Sequence, residues 1–189
     1  MGASIPRTAT TLFAMNLTTL TPFDGDSIRV VVEAPRGCSL KLEYDPKIEL
    51  FTVSRSLPLG MVYPFDWGFI PGTRADDGDP VDAMAIHPSS SFPGMVLPCR
   101  LLGMIEIEQR DDGGKKQTNN RLITTPAWHE PLKELKDARD LPKGVRQEFE
   151  QFFVAVTAFT DKEVRVRGWA GRAKALHFLK KRMTSKDSR

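Results

Sequence analysis

The segment RADDGDPVDAM, residues 74–84, places four aspartates within seven positions, around a glycine and a proline. Asp, Gly and Pro are common turn residues, so an ordinary surface turn accounts for one or two of these acids. It does not account for all four, because like charges this close repel unless something positive lies among them. The apolar run that follows, residues 81–86, predicts that the turn leads directly into a strand.

A bound divalent cation is one source of that positive charge. The EF-hand pattern does not fit, because it requires a glutamate at the twelfth position of the loop. Counting from Asp76 or Asp77, that position is His87 or Pro88. The remaining hypothesis is a hard-cation site of another design, in which carboxylates from a turn and a strand start share Mg²⁺ with water and a phosphate ligand.

Short strands separated by Gly, Pro and Asp turns are predicted on both sides of this segment. They are residues 28–35, 40–45, 48–55, 81–86, 95–109 and 121–126. The polar residues 110–120 between the last two strands are predicted to form a hairpin tip. Within residues 40–45, Lys41 and Glu43 are expected to share one face, because side chains alternate along a strand.

The last third of the chain changes to helical spacing of its apolar residues. Residues 140–159 predict a helix with a buried face that includes Phe149 and Phe153, and with Asp140 as its N-cap. A short strand at residues 164–169 precedes a second, basic amphipathic helix over residues 170–183. Many strands followed by a few helices predict a mainly β fold of the α+β class, a small closed barrel with flanking helices.

The length of 189 residues suits one compact domain with short extensions. We expect a flexible N-terminal extension over residues 1–20, a single domain over residues 21–182 and a flexible basic tail over residues 183–189. No apolar run approaches the ~20 residues of a membrane helix, and a net charge of +3 is too small to indicate nucleic-acid binding. Two cysteines without a CxxC pair favour reduced thiols in a cytoplasmic protein.

Taken together, several segments resemble the soluble family I inorganic pyrophosphatases, as a divergent member. The most specific of them is DDGDPVDAM after MVYPFDWGFIPGT, and the resemblance runs from about Ile28 to Trp169. The others, in the family's order, are VVVEAP, LKLEYD, VSR, FPGMVLPCRLLGMI, DARDLP, EQFF and VRVRGW. The resemblance implies a five-stranded OB-like closed barrel with two main helices, and Mg²⁺-dependent hydrolysis of pyrophosphate to two phosphates.

The resemblance also implies roles for individual residues of this sequence. Asp79 matches the acid that helps to generate the attacking hydroxide. The positions near the metal ions or their waters are matched by Asp77, Asp82, Glu33, Glu43 and Asn119. The phosphate-binding and pocket-wall positions are matched by Lys41, Arg55, Tyr63, Trp67 and Arg121. The chemistry is coherent, because two adjacent metal ions neutralise a highly charged substrate and lower the pKa of a water between them.

Two expected metal carboxylates are absent from the chain. Gln109 and Asn119 stand where the resemblance implies aspartates, and neutral amides are weaker Mg²⁺ ligands than carboxylates. The loop between them is also longer than the resemblance implies. Asp111 or Asp112 on that loop is a candidate replacement ligand.

Three substrate contacts also differ from the family pattern. Trp67 replaces a tyrosine, and its indole N–H donates a hydrogen bond but accepts none. Val156 and Thr157 replace a Tyr-Lys pair. Arg121 replaces a lysine, and its guanidinium binds phosphate through two parallel hydrogen bonds.

Two functions therefore remain open at this point. The first is a Mg²⁺-dependent pyrophosphatase, and the second is a catalytically weak relative that binds phosphate or metal or hydrolyses another diphosphate. An OB-type nucleic-acid binder is disfavoured, because the acidic segment repels a phosphate backbone. The expected partners are pyrophosphate and phosphate, with no nucleic acid and no membrane, and the resemblance implies a homo-oligomer.

Overall fold

A computed structural model describes residues 16–110, 116–160 and 163–184 of the chain. Most of the predicted extension over residues 1–20 and most of the predicted tail over residues 183–189 lie outside these ranges. Asp111 and Asp112 also lie outside them. The domain boundaries and the replacement ligand therefore stay predictions.

Within these ranges the chain forms ten β-strands and two α-helices. In chain order they are β1 (Phe23–Asp24), β2 (Ser27–Ala34), β3 (Leu40–Asp45), β4 (Leu50–Ser56), β5 (Asp66–Ile70), β6 (Val81–Ala85), β7 (Val96–Arg110), β8 (Lys116–Thr118), β9 (Arg121–Pro126), α1 (Lys143–Ala155), β10 (Glu163–Gly171) and α2 (Arg172–Lys180). The strands predicted from the sequence are all present, with boundaries shifted by at most two residues. The sequence analysis missed the short β1, β5 and β8.

Five of the strands close on one another. β2 pairs with β5 and with β7, β5 pairs with β6, β6 runs parallel to β9, and β9 pairs with β7. This ring has no free edge between its members, which is how a barrel avoids exposing unpaired backbone groups. It confirms the prediction of a closed five-stranded barrel with two main helices.

The close approach of β5 to β2 depends on a glycine. Gly68 of β5 lies opposite Val32 of β2. A Cβ atom at Gly68 would lie 1.9 Å from the carbonyl oxygen of Val31, far inside van der Waals contact. Any other residue at this position would push the two strands apart.

β3 and β4 form a separate two-stranded hairpin beside the barrel. Lys41 lies directly opposite Arg55 in its register. The side chains of Lys41 and Glu43 form an ion pair, which confirms that they share one face of β3. The hairpin therefore presents three charged side chains, from two strands, beside the barrel.

The predicted N-cap of the first helix is wrong. α1 begins at Lys143 after Pro142, which has an extended ψ of 141° and caps the helix without a side-chain hydrogen bond. Asp140 instead ends a separate 3₁₀ turn, Ala138–Asp140, whose N-cap is Asp137. The predicted second helix also starts too early, because the two residues before Arg172 continue β10.

α1 packs its aromatic face against the barrel. Phe149, Phe152 and Phe153 are buried, as predicted. Phe149 stacks on Phe65 with a centroid distance of 5.3 Å and meets Trp169 edge-on at 5.9 Å. Aromatic pairs at such distances stabilise a packed core beyond the burial of their area.

Two observations concern the predictions about membranes and thiols. In the part of the chain that the structure describes, no helix is both long and apolar enough to cross a membrane. Cys38 is half-buried, Cys99 is buried, and both thiols are free. Burial raises the pKa of the Cys99 thiol to about 12, which keeps it protonated and unreactive.

Candidate active site

A cavity of about 1000 Å³ lies between the β3–β4 hairpin, the barrel and α1. Its lining includes every residue to which the sequence assigned a role. They are Glu33, Lys41, Glu43, Arg55, Tyr63, Trp67, Asp77, Asp79, Asp82, Asn119 and Arg121. The structure brings all of them to one place, and their individual roles stay predictions.

One side of the cavity is formed by residues 77–82, called the acidic turn below. The Thr73 hydroxyl holds its base, because it donates to the Ile70 carbonyl at 2.6 Å and accepts from the Val81 N–H at 2.9 Å. Gly78 has a φ of +96°, a conformation that favours glycine. The turn is therefore built so that its carboxylates lie at the cavity while its backbone is anchored to the barrel.

The positive charge that the sequence required among the aspartates comes partly from two arginines. Arg182, just after α2, contacts both carboxylate oxygens of Asp76 at 3.0 and 3.1 Å. Arg121 of β9 forms an ion pair with Asp82. Neither pair has a local sequence signal, because the partners are far apart in the chain, and the sequence analysis missed both.

Asp82 is the most enclosed carboxylate of the acidic turn, with its side chain 23% exposed. It lies in β6 opposite Phe69. Burial raises the pKa of Asp82, the Arg121 guanidinium opposes that rise, and the charge of Asp77 adds to it. Burial therefore disfavours the ionised form of Asp82, and the guanidinium beside it partly offsets that cost.

Glu33 of β2 is buried and lines the cavity. Its Oε1 accepts a hydrogen bond from the Tyr44 N–H at 2.9 Å. Burial, together with the negative charges of Asp82 and Glu43, raises the pKa of Glu33 to about 8. Without an added cation, this carboxyl is therefore mostly protonated at neutral pH.

The β3–β4 hairpin supplies the basic side chains of the cavity. Lys41 is paired with Glu43. The Arg55 guanidinium donates to the carbonyl oxygens of Val156, at 2.9 Å, and Ser56, at 3.2 Å. Arg55 therefore also ties the hairpin to the C-terminal end of α1, in addition to lining the cavity.

Aromatic side chains form the opposite wall. Tyr63 stacks near Trp67, with centroids 5.9 Å apart, and lies 5.5 Å from Phe152. Trp67 in turn lies 6.0 Å from Phe153. Burial raises the pKa of the Tyr63 hydroxyl, so this group stays neutral and is available as a hydrogen-bond donor.

The remaining side of the cavity is formed by Gln109, Asn119 and Arg121, called the amide–arginine cluster below. The Asn119 amide donates to the Gln109 Oε1 atom at 3.1 Å. The Arg121 Nη1 atom donates to the Asn119 Oδ1 atom and forms an ion pair with the Asp82 carboxylate. Its guanidinium lies 5.2 Å from the centroid of the Trp67 ring. The two amides and the guanidinium therefore form one connected network.

Further residues line the cavity that the sequence analysis did not select. They include Thr18, Thr19, Ile107, Thr160, Val164 and Thr184. Thr18, Thr19 and Thr184 come from the two ends of the described chain and Thr160 follows α1. No motif or spacing in the sequence connects these threonines with the acidic turn.

The donor set fits a divalent cation on one side of the cavity only. In residues 16–110, 116–160 and 163–184, no three His, Cys, Asp or Glu side chains are grouped closely enough to hold a metal ion unaided. Mg²⁺, however, is usually held by one or two carboxylates with waters and substrate phosphates completing the shell. The acidic turn offers such carboxylates in Asp77, Asp79 and Asp82, whereas the amide–arginine cluster offers neutral oxygens that are already hydrogen-bonded.

Comparison with known sequences gives a single family. The sequence model described as Inorganic pyrophosphatase matches residues 30–187. An inorganic pyrophosphatase of Thermus thermophilus is 37% identical over 152 residues, which cover 79% of this chain and 84% of that relative. One of Saccharolobus solfataricus is 35% identical over 164 residues, covering 85% of this chain and 92% of that relative.

Solved structures agree with the sequence comparison. The crystal structure of the inorganic pyrophosphatase from Thermus thermophilus matches with a TM-score of 0.80 at 34% identity, covering 88% of this chain and 95% of that one. The enzyme from Helicobacter pylori matches with a TM-score of 0.75 at 30% identity, covering 84% and 92%. The agreement confirms the expected OB-like barrel. The chain belongs to the inorganic pyrophosphatase family.

Proposed function

We propose that this chain hydrolyses inorganic pyrophosphate to two phosphates with Mg²⁺ as its metal ion. The observation that carries the proposal is that Asp77, Asp79 and Asp82 line the same cavity as Lys41 and Arg55. Acids that hold a cation and bases that bind phosphate are both needed for attack on a highly charged diphosphate. Membership of the inorganic pyrophosphatase family supports the same reaction.

The acidic side of the cavity holds the cation and handles the proton. Asp77 and Asp82 would hold Mg²⁺ from the turn. Asp79 accepts the proton that the attacking water loses. When bound, Mg²⁺ neutralises substrate charge and lowers the pKa of water beside it. Glu33 and Glu43 are assigned to the outer part of the metal site, where a bound cation would favour the ionised form of Glu33.

The basic and aromatic sides bind the substrate. Lys41 and Arg55 of the hairpin, with Arg121 of β9, offer hydrogen bonds to phosphate oxygens and stabilise the negative charge that develops on the leaving phosphate. The neutral Tyr63 hydroxyl donates to phosphate as well. The Trp67 indole closes the wall, and its N–H is a further donor.

Phosphate release from pyrophosphate tests the proposal. The full chain is expected to release phosphate with Mg²⁺ and to stop when a chelator removes it. Asp77→Asn should lose most of the activity, because it removes a metal carboxylate. Asp76→Asn is the matched control, since Asp76 pairs with Arg182 and does not line the cavity. Equal rates for the two variants, or release without metal, would contradict the assignment.

A second function is supported by the amide–arginine cluster. Gln109 and Asn119 supply amides and not carboxylates to this side of the cavity, and Arg121 forms an ion pair with Asp82. A relative that binds pyrophosphate or phosphate without rapid turnover would keep the bases and need fewer metal ligands. Calorimetric binding of pyrophosphate together with no release of phosphate in the same buffer would select this function over hydrolysis.

We also propose that the chain is a cytoplasmic homo-oligomer whose folded domain spans residues 21–182. Several large apolar side chains are exposed in the monomer, among them Leu59, Phe92, Trp128 and Phe159. Exposed apolar side chains on one chain are often covered by another copy. Light scattering after size-exclusion chromatography measures the mass, and a monomer at micromolar concentration would contradict the oligomer.

A further inference from the structure

We propose that Arg121 is a built-in cation that occupies the position between Asp82 and Asn119, so that the divalent metal ion is held from the acidic turn alone. The inference rests on the proposed function in one respect, since it takes the cavity to be a site for a divalent cation. It assigns to Arg121 a role beyond contact with phosphate.

The geometry around the guanidinium carries the proposal. The Arg121 Nη1 atom contacts both the Asp82 carboxylate and the Asn119 Oδ1 atom. The Trp67 ring lies against the guanidinium at 5.2 Å, a distance at which an aromatic ring attracts a cation. The Arg121 side chain is only 13% exposed. A positive charge is therefore held by Asp82, Asn119 and Trp67 together, at the place where a carboxylate oxygen of β6 and an amide oxygen from the segment before β9 converge.

The oxygens of the cluster are already in use. The Asn119 Oδ1 atom accepts from Arg121, and the Gln109 Oε1 atom accepts from the Asn119 amide. A metal ion entering here would have to displace a guanidinium and compete with both hydrogen bonds for the amide oxygens. It would gain only neutral amide oxygens and one shared carboxylate in return, a poor exchange for Mg²⁺, which gives up its waters reluctantly.

The guanidinium also carries a donor that is not satisfied. The Arg121 Nε atom is buried and has no hydrogen-bond partner among the described residues. A buried donor without an acceptor costs free energy, so an incoming oxygen is favoured there. Because Arg121 lines the cavity, a phosphate oxygen of the substrate is the acceptor that fits. Arg121 thus balances Asp82 on one edge and receives phosphate on the other.

This arrangement predicts opposite effects on two ligands when Arg121 is removed. Phosphate affinity should fall, because a charged donor is lost. Affinity for a divalent cation should rise, because Asp82 and Asn119 become free to coordinate it. Removing a residue that only contacts phosphate would also lower phosphate affinity. It would raise the affinity for a divalent cation only slightly, through the general loss of one positive charge.

The test is a titration of the full chain with Mn²⁺ alone, in which electron paramagnetic resonance measures the unbound ion. Arg121→Gln removes the guanidinium and should bind Mn²⁺ about tenfold more tightly or bind an additional ion, since a charge in contact with Asp82 is lost. Lys41→Gln is the matched control. It removes the same charge from the same cavity, but Lys41 pairs with Glu43, so the change should stay within about threefold.

A charge-preserving variant separates this effect from damage to the fold. Arg121→Lys keeps a cation beside Asp82 and should bind Mn²⁺ as the unmodified chain does. Circular dichroism and thermal melting verify that each variant is folded. Equal Mn²⁺ affinities for Arg121→Gln and Lys41→Gln would overturn the proposal, and so would the absence of Mn²⁺ binding by any variant.

The outcome is independent of the test of hydrolysis. If the chain releases no phosphate from pyrophosphate but Arg121→Gln still gains Mn²⁺ affinity, the proposed reaction fails and the role of Arg121 stands. If the chain hydrolyses pyrophosphate but Mn²⁺ binding does not respond to Arg121→Gln, the reaction stands and the built-in cation is excluded.

Discussion

The acidic turn and the amide–arginine cluster, on two sides of the cavity, differ in how negative charge is balanced. The acidic turn places Asp77 and Asp79 at the exposed edge of the site, where a cation from solution can reach them. The amide–arginine cluster is buried and contains its own cation, because Arg121 is bound to Asp82 and Asn119. Under the proposed function, only the acidic turn would hold an added metal ion.

The difference shows how residue type and burial act together. Exposed carboxylates retain their charge because water solvates them. Carboxylates at the buried positions of Gln109 and Asn119 would need a counter-ion to stay ionised. Amides hydrogen-bonded to each other avoid that requirement, and a single guanidinium then balances the remaining acid, Asp82. In the amide–arginine cluster, hydrogen bonds among Gln109, Asn119 and Arg121 therefore take the place of carboxylate charges.

The largest expected effect is on the acidic side. Asp79→Asn removes the group assigned to take the proton from water, and we expect the rate of phosphate release to fall by about 10² to 10⁴, the usual contribution of a general base. Steady-state phosphate release at saturating Mg²⁺ measures it. The same substitution at Asp76 should change the rate little, and a loss of equal size there would remove the distinction between cavity-lining and flanking acids.

Glu33 gives a prediction about stability in the absence of metal. Its pKa is about 8 in the folded chain against 4.5 ordinarily, so the folded state binds the proton more tightly than the unfolded state. The stabilisation is complete below pH 4.5 and is lost as pH rises to about 8, at up to about 1.4 kcal/mol per pH unit.

Glu33→Gln should remove this component of the pH dependence, because glutamine stays neutral throughout. Urea unfolding of metal-free protein at several pH values measures the free energy of unfolding for both chains. If the two chains lose stability in parallel between pH 5 and 8, Glu33 is not the titrating group.

Substitution of a basic residue in the β3–β4 hairpin should have a smaller effect on activity, through weaker binding of the substrate. Lys41→Ala should lower kcat/KM for pyrophosphate by about 1.5–3 kcal/mol in free energy, the usual cost of losing a hydrogen bond to a charged group. Lys47→Ala is the control, since Lys47 is exposed on the same hairpin and does not line the cavity. Similar kinetics for both variants would make Lys41 an ordinary surface charge paired with Glu43.

Sequence alone predicted the acidic turn far better than the amide–arginine cluster. The crowding of Asp77, Asp79 and Asp82 is a local pattern, and a local pattern can be read without the fold. The same holds for the strands, whose alternation and turn residues are local. The predicted start of α1 was wrong. Asp140 has the right chemistry for an N-cap, but it ends a separate 3₁₀ turn two residues before Pro142, the actual N-cap.

The long-range pairs had no such signal. Arg121 was expected to bind phosphate, and its pairing with Asp82 depends on β6 lying parallel to β9 in the closed barrel. Asp76 and Arg182 are 106 positions apart. Gln109 and Asn119 were noticed as departures from the family pattern, but that they hydrogen-bond to each other follows only from the path of the chain after β7.

The smallest expected effect concerns the ring that holds Arg121. Trp67→Phe keeps an aromatic wall but weakens the attraction for the guanidinium, by less than about 1 kcal/mol. Mn²⁺ affinity should then rise about twofold, in the same direction as for Arg121→Gln and much less. A decrease in affinity would show that Trp67 supports the metal side of the cavity and not the cluster.

The comparison between the two sides is tested most directly by locating the metal. Crystals of the full chain grown with Mn²⁺ give anomalous diffraction that marks each bound ion. The account predicts density beside the carboxylates of Asp77, Asp79 or Asp82, with Arg121 still bound to Asn119. An ion between Asp82 and Asn119, with the Arg121 side chain displaced from both, would contradict it.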